Sequence, residues 1–395
     1  MTGPRVVCFP FVGDDVGGSH ISAARLIRRL DPNRYRARVV LEQIDGPLAD
    51  FLSREGVAFE ASPEGVALRP ASAPAVLARL ATQTATRLRR FLRASATDIV
   101  HTNDGRIHTP WALGARAAGL KTLWHHRGDP GARGVNLIAP LLADKIVTVS
   151  HYARPRRPLA RFDGKWSVVY SPFEHPEPVD RAAARAALAK EVGADRGTRF
   201  LGYFGQFIER KRPCDLVDTI VEITRRRPDT PVMAVFFGAD AVGREPFEAA
   251  TRRRAAERGV SERIRFLGFR RPIEPWMAAV DVHVVPALNE PFGRTLIEAM
   301  LLGTPVVASA HGGNPEAIRH DETGLLVPPC DPAAFADASL ALLDDPALRR
   351  RIVEAALAEA RTRYGAVRHA ARIQALYDDM LGAAPATSGA AMEAG

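Results

Sequence analysis

Two glutamates stand eight positions apart around a Phe-Gly pair in the segment 289-NEPFGRTLIEAMLLGTPVVAS-309. The apolar run before this segment predicts a buried strand, and the pattern after Gly293 predicts a helix. Glu290 would then lie at the carboxyl end of a strand, where ligands bind in open parallel sheets, and Glu298 about 1.5 turns into the helix. Free amides at a helix start suit a phosphate, whereas carboxylates suit hydroxyl groups. The spacing predicts a diphosphate with a sugar on one side and a ribose on the other.

This pattern resembles the Glu-x7-Glu motif of the retaining glycosyltransferases of family 4, which have the GT-B fold. The resemblance implies that Glu290 contacts hydroxyls of the donor sugar and that Glu298 binds the ribose diol. It also implies that the diphosphate is held by backbone amides of the residues between them: Phe292, Gly293, Arg294, Thr295 and Leu296.

Three further segments are similar to the same family. The stretch 312-GGNPEAIRHDETGLLVPPCDP-332 resembles its Gly-Gly-x-x-Glu segment, and 12-VGDDVGGSHISAARLIRRL-30 resembles its first loop, where Gly17 and Gly18 would approach the donor. The stretch 204-FGQFIERKRPCDLVDTI-220 resembles its phosphate loop, with Gly205 and Lys211 in matching positions. The family commonly has arginine where this chain has Gln206, so Arg210 or Arg212 is expected to supply the missing charge. Arg270 completes the donor-binding candidates.

The family's histidine falls in 124-WHHRGD-129, where His125, His126 and Arg127 remain alternatives for its position. We take His125 and His126, together with Glu290 and Lys211, as catalytic candidates. In 98-DIVHTND-104, His101 and Asp104 end another predicted strand and either hold the acceptor or are ordinary polar residues at a strand end. Arg127 is the third acceptor-side candidate.

Short β-branched runs alternate with amphipathic helical stretches, which predicts βαβ units and parallel sheets. The proline-rich stretch 170-YSPFEHPEPVD-180 interrupts this rhythm and reads as a linker. The expected fold is therefore α/β of the GT-B type: two Rossmann-like α/β/α domains facing a cleft, with a C-terminal helix that crosses back to the N-terminal domain. The expected divisions are residues 1–173, 174–363, the returning helix 364–382 and a disordered tail 383–395.

Composition excludes several other classes. Among the 395 residues there are three cysteines, with no metal or redox spacing, which favours free thiols in the cytosol. The sequence has no Asp-x-Asp, no Gly-x-Gly, no Walker loop and no serine nucleophile elbow. We therefore expect transfer that needs no metal and no cofactor. No leader peptide or membrane-spanning segment is evident, because no apolar run approaches the ~20 residues that a spanning helix needs.

Charge is distributed unevenly within a formal net charge of +9. Residues 1–173 contain 25 Lys and Arg against 14 Asp and Glu, whereas the remainder contains 29 against 31. The stretch 76-VLARLATQTATRLRRFLR-93 predicts a basic amphipathic helix, either packed on the core with solvated arginines or lying on an anionic membrane surface. The cluster 154-RPRRPLAR-161 would extend such a surface.

The sequence thus predicts a retaining, metal-independent glycosyltransferase of bacterial cell-surface glycan, glycolipid or secondary-metabolite synthesis. Its expected partners are a nucleotide-diphosphate sugar, a glycan, lipid-linked or small-molecule acceptor, and an anionic membrane surface, but no nucleic acid. The expected location is the cytoplasm, with peripheral contact at the inner membrane face. A sugar-nucleotide epimerase or phosphorylase of the same fold is the enzymatic alternative, and a non-enzymatic basic binding protein is the other.

Overall fold

The protein is described from a computed structural model, which covers residues 3–64, 66, 83–240 and 246–382. The chain forms two compact units. Unit 1 comprises Met1–Pro172 and Ala366–Gly395, and unit 2 comprises Phe173–Gly365. The predicted linker 170–180 therefore spans the point at which the chain passes from one unit to the other. The helix that follows Gly365 belongs to unit 1 although it comes last in the sequence.

Unit 1 contains a seven-stranded sheet whose neighbouring strands are all parallel, in the order β3-β2-β1-β4-β5-β6-β7. Its strands are β1 Arg5–Phe11, β2 Tyr35–Leu41, β3 Phe59–Ala61, β4 Ile99–Thr102, β5 Lys121–His126, β6 Lys145–Thr148 and β7 Trp166–Val168. Burial of β1 after its first residue explains its unbroken apolar sequence from Val6 to Phe11, because helices cover both faces of a parallel sheet.

The helices of unit 1 are α1 Gly18–Ile27, α2 Pro47–Arg54, α3 Ala85–Ala94, α4 His108–Ala118 and α5 Ala139–Leu142. The chain returns after unit 2 to add α14 Ala366–Leu381. Ala370, Ile373, Tyr377 and Met380 of α14 are buried in the same core as strands β1 and β2. The last helix is therefore a structural part of the N-terminal unit, as the sequence predicts.

Unit 2 repeats this architecture with six parallel strands in the order β10-β9-β8-β11-β12-β13. The strands are β8 Arg199–Phe204, β9 Val232–Phe237, β10 Ile264–Gly268, β11 Val282–Val285, β12 Val306–Ser309 and β13 Leu325–Val327. The helices are α6 Arg181–Val192, α7 Pro213–Arg226, α8 Phe247–Glu257, α9 Glu274–Ala279, α10 Arg294–Leu301, α11 Asn314–Ala317, α12 Pro332–Asp344 and α13 Pro346–Arg363.

Both sheets reverse their strand order at one point, between β1 and β4 in unit 1 and between β8 and β11 in unit 2. The loops at the carboxyl ends of these four strands diverge to opposite faces of the sheet and leave a crevice, which is where doubly wound sheets bind ligands. The prediction of two parallel-sheet α/β domains is confirmed. The strands β3 and β7 were not predicted: both are short strands at the edges of the sheet and, unlike the central strands, neither contains a fully buried residue.

The predicted amphipathic helix 76–93 lies partly outside the described residues, since positions 76–82 are not among them. Its described part is α3, whose Leu88 and Leu92 are fully buried against Trp111 and Ala115 of α4. A Cβ on Gly114 would lie 2.5 Å from the Leu88 Cβ, so α3 and α4 cross closely at this glycine. In the described part, the apolar face of this helix is thus core surface. None of the helices in the described ranges is both long and apolar enough to span a bilayer.

Candidate functional site

Glu290 forms a buried ion pair at the switch point of the unit 2 sheet. Its Oε2 lies 2.7 Å from the Lys211 Nζ and accepts a hydrogen bond of 2.6 Å from the Arg210 guanidinium. Arg210 and Lys211 come from the loop after β8, and Glu290 comes from the loop after β11. The two loops are joined by a backbone hydrogen bond of 2.7 Å from Leu288 N–H to the Arg210 carbonyl. The reversal of strand order therefore brings together two catalytic candidates that are distant in sequence.

The electrostatics of this cluster fix the charge of Glu290. Burial by itself would raise the pKa of this carboxyl, but the charges and hydrogen bonds of Lys211 and Arg210 outweigh burial and lower the pKa to about 2. Glu290 is thus a carboxylate at neutral pH and an acceptor only. Such a group can accept hydrogen bonds from sugar hydroxyls but cannot donate a proton.

The loop after β12 contacts the backbone of Glu290 and Pro291. Gly313 N–H donates to the Glu290 carbonyl at 2.7 Å, and a Cβ on Gly313 would lie 2.5 Å from the Pro291 carbonyl oxygen. A Cβ on Gly312 would meet the Glu290 backbone at 2.7 Å. Only glycines allow the two loops to approach this closely, which is the physical reason for the Gly-Gly pair in the segment 312–332.

Helix α10 begins directly after this loop. Its N-cap is Gly293, at φ 72°, which provides no side-chain acceptor for the amides of the first turn. A Cβ on Gly293 would lie 3.2 Å from Asn314 Oδ1. That oxygen is buried without a hydrogen-bond partner in the described structure. The start of α10 therefore presents backbone and amide groups at the switch point, next to the Glu290 cluster.

The other candidates on α10 occupy its first turns. Arg294 is 3.3 Å from Glu298 and stacks over the Phe173 ring at 4.5 Å, and Phe292 is buried beside Phe173 and Tyr364. Leu296 is fully buried, whereas Thr295 and Glu298 are half-buried. Glu298 is therefore held in position by its neighbour while its side chain retains access to solvent.

The loop after β8 also contains Gly205 and Gln206. Gly205 lies in van der Waals range of Lys211, since a Cβ there would be 3.9 Å from the Lys211 Cε. Gln206 is exposed, and its carbonyl accepts a hydrogen bond of 2.8 Å from the Tyr203 hydroxyl. A Cβ on Gly238, after β9, would lie 1.9 Å from the Gly205 carbonyl oxygen, so this glycine is required for the loop to sit where it does.

Of the two arginines expected to supply the missing charge, only Arg210 reaches the cluster. Arg212 instead forms a two-pronged ion pair with Asp215, at 2.6 and 2.8 Å, in the first turn of α7. Arg270, after β10, pairs at 2.5 Å with Glu191 at the end of α6. The structure therefore joins Arg210 to Glu290 and Lys211, and gives Arg212 and Arg270 carboxylate partners elsewhere in unit 2.

The switch point of unit 1 holds a second polar group. Gly17 N–H donates to His20 Nδ1 at 3.0 Å, so Nδ1 is an acceptor and Nε2 is the N–H donor of this ring. That Nε2 lies 3.8 Å from Asp104 Oδ2, too far for a hydrogen bond, and neither of these buried atoms has a hydrogen-bond partner among the described residues. A Cβ on Gly17 would approach nothing closer than His20 Nδ1 at 3.9 Å. A donor and an acceptor thus face each other 3.8 Å apart without a hydrogen bond between them.

Carboxylates surround this pair. Arg106 makes a two-pronged ion pair with Asp14 at 2.7 Å, and its other contact is with Asp104 at 3.7 Å. Burial raises the pKa of Asp104, but the nearby polar imidazole of His20, the Arg106 backbone N–H that donates to Asp104 Oδ1 at 3.1 Å and the Arg106 guanidinium outweigh burial and lower that pKa to about 2. Burial and the neighbouring Asp104 raise the pKa of Glu42 to about 7. The edge of the unit 1 sheet is therefore rich in hydrogen-bond acceptors.

His101 and His125 belong to a buried stack that ends on the last helix. The rings of His101 and His125 lie 5.4 Å apart, and those of His125 and His369 lie 6.0 Å apart. Arg127 can only donate, so its 3.3 Å contact makes His125 Nδ1 an acceptor, and His101 Nε2 donates to the same atom at 3.2 Å. His101 Nδ1 then accepts from the Tyr377 hydroxyl at 2.5 Å. Burial lowers the pKa of all three histidines.

His126 lies beside this stack and is also buried. Its Nε2 donates to the Asp129 carbonyl at 2.9 Å. Arg127 donates to Asn103 Oδ1 at 3.2 Å and to Ser171 Oγ at 3.2 Å. The three alternatives for the family's histidine therefore differ in setting, because His125 is an interior residue of the stack, His126 is tied to its own loop, and Arg127 bridges the ends of β4 and β5.

Sequence reasoning overlooked several of these residues. His20, Glu42 and His369 were not selected, because each stands outside a recognisable spacing. Gly313 and Asn314 lie in the segment 312–332 that resembles the family's Gly-Gly-x-x-Glu segment, but neither was assigned a role. His369 could not be found, because its partners Tyr170 and His125 lie 199 and 244 residues away in sequence.

The unit 2 site and the two doubly wound sheets define an α/β protein of the GT-B type. Residues 198–345 match the family model described as "Glycosyl transferases group 1". The chain therefore contains a glycosyl transferases group 1 domain, which includes the whole Glu290–Lys211 cluster. Within the described residues, no group of three or more His, Cys, Asp or Glu is arranged to hold a metal ion.

Among curated proteins, the chain is 37% identical over 204 residues to a D-inositol 3-phosphate glycosyltransferase of Corynebacterium glutamicum. That match covers 51% of this chain and 48% of the relative. It is 33% identical over 214 residues to the lipopolysaccharide core biosynthesis mannosyltransferase LpsB of Rhizobium meliloti, covering 52% of this chain and 57% of the relative. The chain thus spans about half the length of the curated relatives it matches.

Solved structures match over nearly the whole chain. HepE of Anabaena, crystallised with UDP and glucose, has a TM-score of 0.77 at 21% identity, covering 96% of this chain and 99% of HepE. The lipopolysaccharide outer core galactosyltransferase WaaB in its apo form has a TM-score of 0.67 at 15% identity, covering 95% of this chain and 99% of WaaB. At these identities the likeness establishes the fold.

Proposed function

We propose that the protein is a retaining glycosyltransferase that moves a sugar from a nucleotide-diphosphate sugar to an acceptor hydroxyl. One observation carries this proposal: the buried Glu290 carboxylate is held by Lys211 and Arg210 beside the uncapped start of α10. Cations, a helix N-terminus and a hydroxyl-binding carboxylate in one crevice are the groups that a sugar diphosphate requires. The glycosyl transferases group 1 domain that contains them supports the same reading.

The donor would lie along the loops of unit 2. Glu290 would accept hydrogen bonds from the sugar hydroxyls, and the half-buried Glu298 would accept them from the ribose. Lys211, Arg210 and the amides from Phe292 to Leu296 would hold the diphosphate. Because HepE is similar in fold and was crystallised with UDP and glucose, and with UDP-glucose, a uridine nucleotide is the first donor to test.

The chemistry follows from the charges. When the bond from the anomeric carbon to the diphosphate oxygen breaks, its electron pair stays on that oxygen, and the acceptor oxygen forms the new bond to the same carbon. The acceptor's proton goes to the leaving phosphate oxygen. Lys211, Arg210 and the start of α10 stabilise the leaving charge electrostatically. These groups supply the role that a metal ion has elsewhere, so we propose transfer that needs no metal and no cofactor.

The acceptor would bind in unit 1, at the edge that holds His20 and Asp104. A hydroxyl that accepts from His20 Nε2 and donates to Asp104 Oδ2 would satisfy both buried atoms. The acceptor is proposed to be a glycan, a lipid-linked glycan or a small polyol of bacterial cell-surface, glycolipid or secondary-metabolite synthesis. The location proposed with it is cytoplasmic, at or near the inner face of the membrane.

Calorimetric titration with UDP, GDP, ADP and TDP in the presence of EDTA tests the donor site. We expect one nucleotide to bind selectively and the Glu298→Ala variant to weaken it roughly tenfold or more, because a buried diol would lose its acceptor. Inorganic pyrophosphate should bind both proteins alike, since it lacks the ribose. Glu354→Ala, an exposed helical position of unit 2, is the matched control.

Absence of nucleotide binding, or a Glu298→Ala variant that binds as the wild type does, would contradict this assignment. Product analysis with the selected nucleotide sugar then separates the enzymatic alternatives. A transferase consumes donor in proportion to added acceptor, an epimerase converts it without acceptor, and a phosphorylase requires inorganic phosphate.

A further inference from the structure

Three leucines of unit 1 are exposed close to one another. Leu137, Leu141 and Leu159 are 42%, 52% and 62% exposed, and they are three of the six large apolar side chains that stand exposed in the described ranges. Exposed apolar residues are common singly, whereas a group of them indicates a surface that another molecule covers. We call the surface formed by these three leucines and by Arg133, Arg157 and Arg161 the leucine patch.

The leucine patch is built on one helical segment. A π-helical turn at Gly134–Ile138 leads directly into α5, and Arg133, Leu137 and Leu141 follow one another at intervals of four, all exposed. The alternate positions, Val135 and Ala139, are buried in a core cluster with Trp124 and Ile146. Burial of that inner face fixes which side of the segment faces outward, so the exposure of both leucines follows from the packing.

The loop that bears the third leucine is attached to this segment by hydrogen bonds to Asn136. Leu159 N–H donates to the Asn136 carbonyl at 2.8 Å, and Arg157 N–H donates to Asn136 Oδ1 at 2.7 Å. Asn136 is buried, and its amide group also donates to the carbonyls of Pro130 and Ala132. Asn136 therefore clamps the loop 154–161 beside Leu137 and holds Leu159 outward next to the other two leucines.

The charge around the leucine patch is positive. Residues 129–163 contain six Arg or Lys and three acidic residues, of which Asp144 accepts from Thr122 N–H and Lys121, and Asp163 pairs with Arg154. Arg133, Arg157 and Arg161 are exposed. Arg154 stacks at 4.5 Å over Trp166, so an aromatic ring also borders the patch. Exposed leucines among arginines, with an aromatic at the border, are the features of a protein surface that meets a bilayer.

We propose that the leucine patch docks the protein on an anionic lipid bilayer, with Leu137, Leu141 and Leu159 entering the acyl boundary and Arg133, Arg157 and Arg161 on the lipid phosphates. A second copy of the chain would be a poor occupant, because a two-fold interface would bring like-charged arginines together. Nucleic acid would contact the arginines but would leave the leucines in water. Only an anionic bilayer uses both sets of side chains.

The experiment is co-sedimentation of the full chain with vesicles of phosphatidylcholine alone and of phosphatidylcholine with phosphatidylglycerol at 3:1. We expect binding to the anionic vesicles, weaker binding at high salt, and little binding to the neutral ones. The Leu137→Ser/Leu141→Ser variant should lower the partition coefficient roughly tenfold or more. The Arg157→Glu/Arg161→Glu variant should lower it by at least as much, since charge reversal repels the anionic surface.

Ile44→Ser is the matched control, because Ile44 is 53% exposed in unit 1 outside the patch, and it should bind as the wild type does. Equal binding of the leucine variant and the wild type would overturn the proposal, as would equal binding to neutral and anionic vesicles. Loss in the leucine variant of a dimer seen by light scattering would instead make the patch a protein interface. The measured quantity is partitioning onto vesicles, so a negative result would not contradict the proposed transfer reaction.

Discussion

The Lys211 ammonium lies 2.7 Å from the same Glu290 oxygen that accepts from Arg210. This pair links the loops after β8 and β11, the two strands between which the order of the unit 2 sheet reverses. The carboxylate of Glu290 pairs with both of the cations that we assign to the diphosphate. Glu290 and a bound diphosphate would therefore compete for Lys211 and Arg210.

This competition predicts that the Glu290→Gln variant binds nucleotide more tightly but transfers sugar more slowly. Glutamine keeps the size of the side chain but removes its charge, so Lys211 and Arg210 become available to the diphosphate. We expect the nucleoside diphosphate to bind up to about tenfold more tightly, while transfer falls by a factor of about 100 or more because the sugar loses a charged acceptor. Calorimetry and a transfer assay on the same preparation measure both quantities.

Glu209→Gln is the control for this experiment, because Glu209 is an exposed neighbour in the same loop. It should change neither binding nor transfer by more than a small factor. Weaker nucleotide binding in Glu290→Gln, with transfer reduced in proportion, would show that Glu290 organises the loop rather than competing with the diphosphate.

Gly313→Ala tests the contact between the loop after β12 and the backbone at Glu290 and Pro291. The added Cβ would lie 2.5 Å from the Pro291 carbonyl oxygen, although Gly313 itself has an ordinary φ of −84°, so any cost comes from crowding and not from backbone strain. We expect a loss of about 1–3 kcal/mol in the free energy of unfolding, with at least tenfold weaker nucleotide binding because the loop 289–293 must shift. Urea unfolding and calorimetry provide the two values.

Gly197→Ala is the matched control in the same unit, since a Cβ there meets nothing within 4 Å. Its stability should stay within about 0.5 kcal/mol of the wild type. If Gly313→Ala behaves like this control, the contact between the two loops does not constrain the site.

Leu88→Ala separates the two readings of the basic helix. Leu88 of α3 is fully buried where α3 crosses α4 at Gly114, so truncation should cost about 2–5 kcal/mol of unfolding free energy by leaving a cavity. Arg89→Ala, next to it and exposed, should change stability by no more than about 0.5 kcal/mol. A Leu88→Ala variant as stable as the wild type would mean that this face is not core surface.

The sequence predicted the fold and the unit 2 cluster for the same reason. Buried parallel strands have short apolar sequences, so the strands could be recognised. Because the loops at the carboxyl ends of such strands meet at one edge of the sheet, Glu290 and Lys211 could be placed together from their positions after β11 and β8. The family resemblance added the roles of Glu290 and Glu298. Neither source could show that Arg212 turns to Asp215 rather than to the site, because a side chain's partner depends on local backbone geometry.

The unit 1 site was harder to predict from the sequence, because its groups are brought together by tertiary packing alone. Asp104 was selected from its place after β4, but its partner His20 lies on α1, and the spacing of the two in sequence carries no signal. The same holds for the leucine patch. Leu159 is held beside Leu137 by Asn136, whose backbone carbonyl accepts from Leu159 N–H and whose side chain accepts from Arg157 N–H, and nothing in the sequence distinguishes this asparagine from any other.

The buried histidine stack predicts an acid sensitivity of unit 1. Burial, chiefly, lowers the pKa of His369 to about 3, against 6.5 for the free side chain. Below pH 6.5 the unfolded chain therefore binds a proton at this residue that the folded chain does not, so stability is lost as the pH falls. The loss is about 1.4 kcal/mol per pH unit for this histidine, and above pH 6.5 the residue contributes no pH dependence.

His369→Gln removes this titration while glutamine can still donate to the Tyr170 carbonyl, which accepts from His369 Nδ1 at 2.8 Å. We expect the variant to be less stable at pH 7, because the stacked ring is lost, and the difference to shrink by about 2 kcal/mol between pH 7 and pH 5. Urea unfolding followed by tryptophan fluorescence measures it. His175→Gln, at an exposed position, should keep the wild-type slope. Parallel slopes for His369→Gln and the wild type would show that His369 takes up a proton in the folded protein.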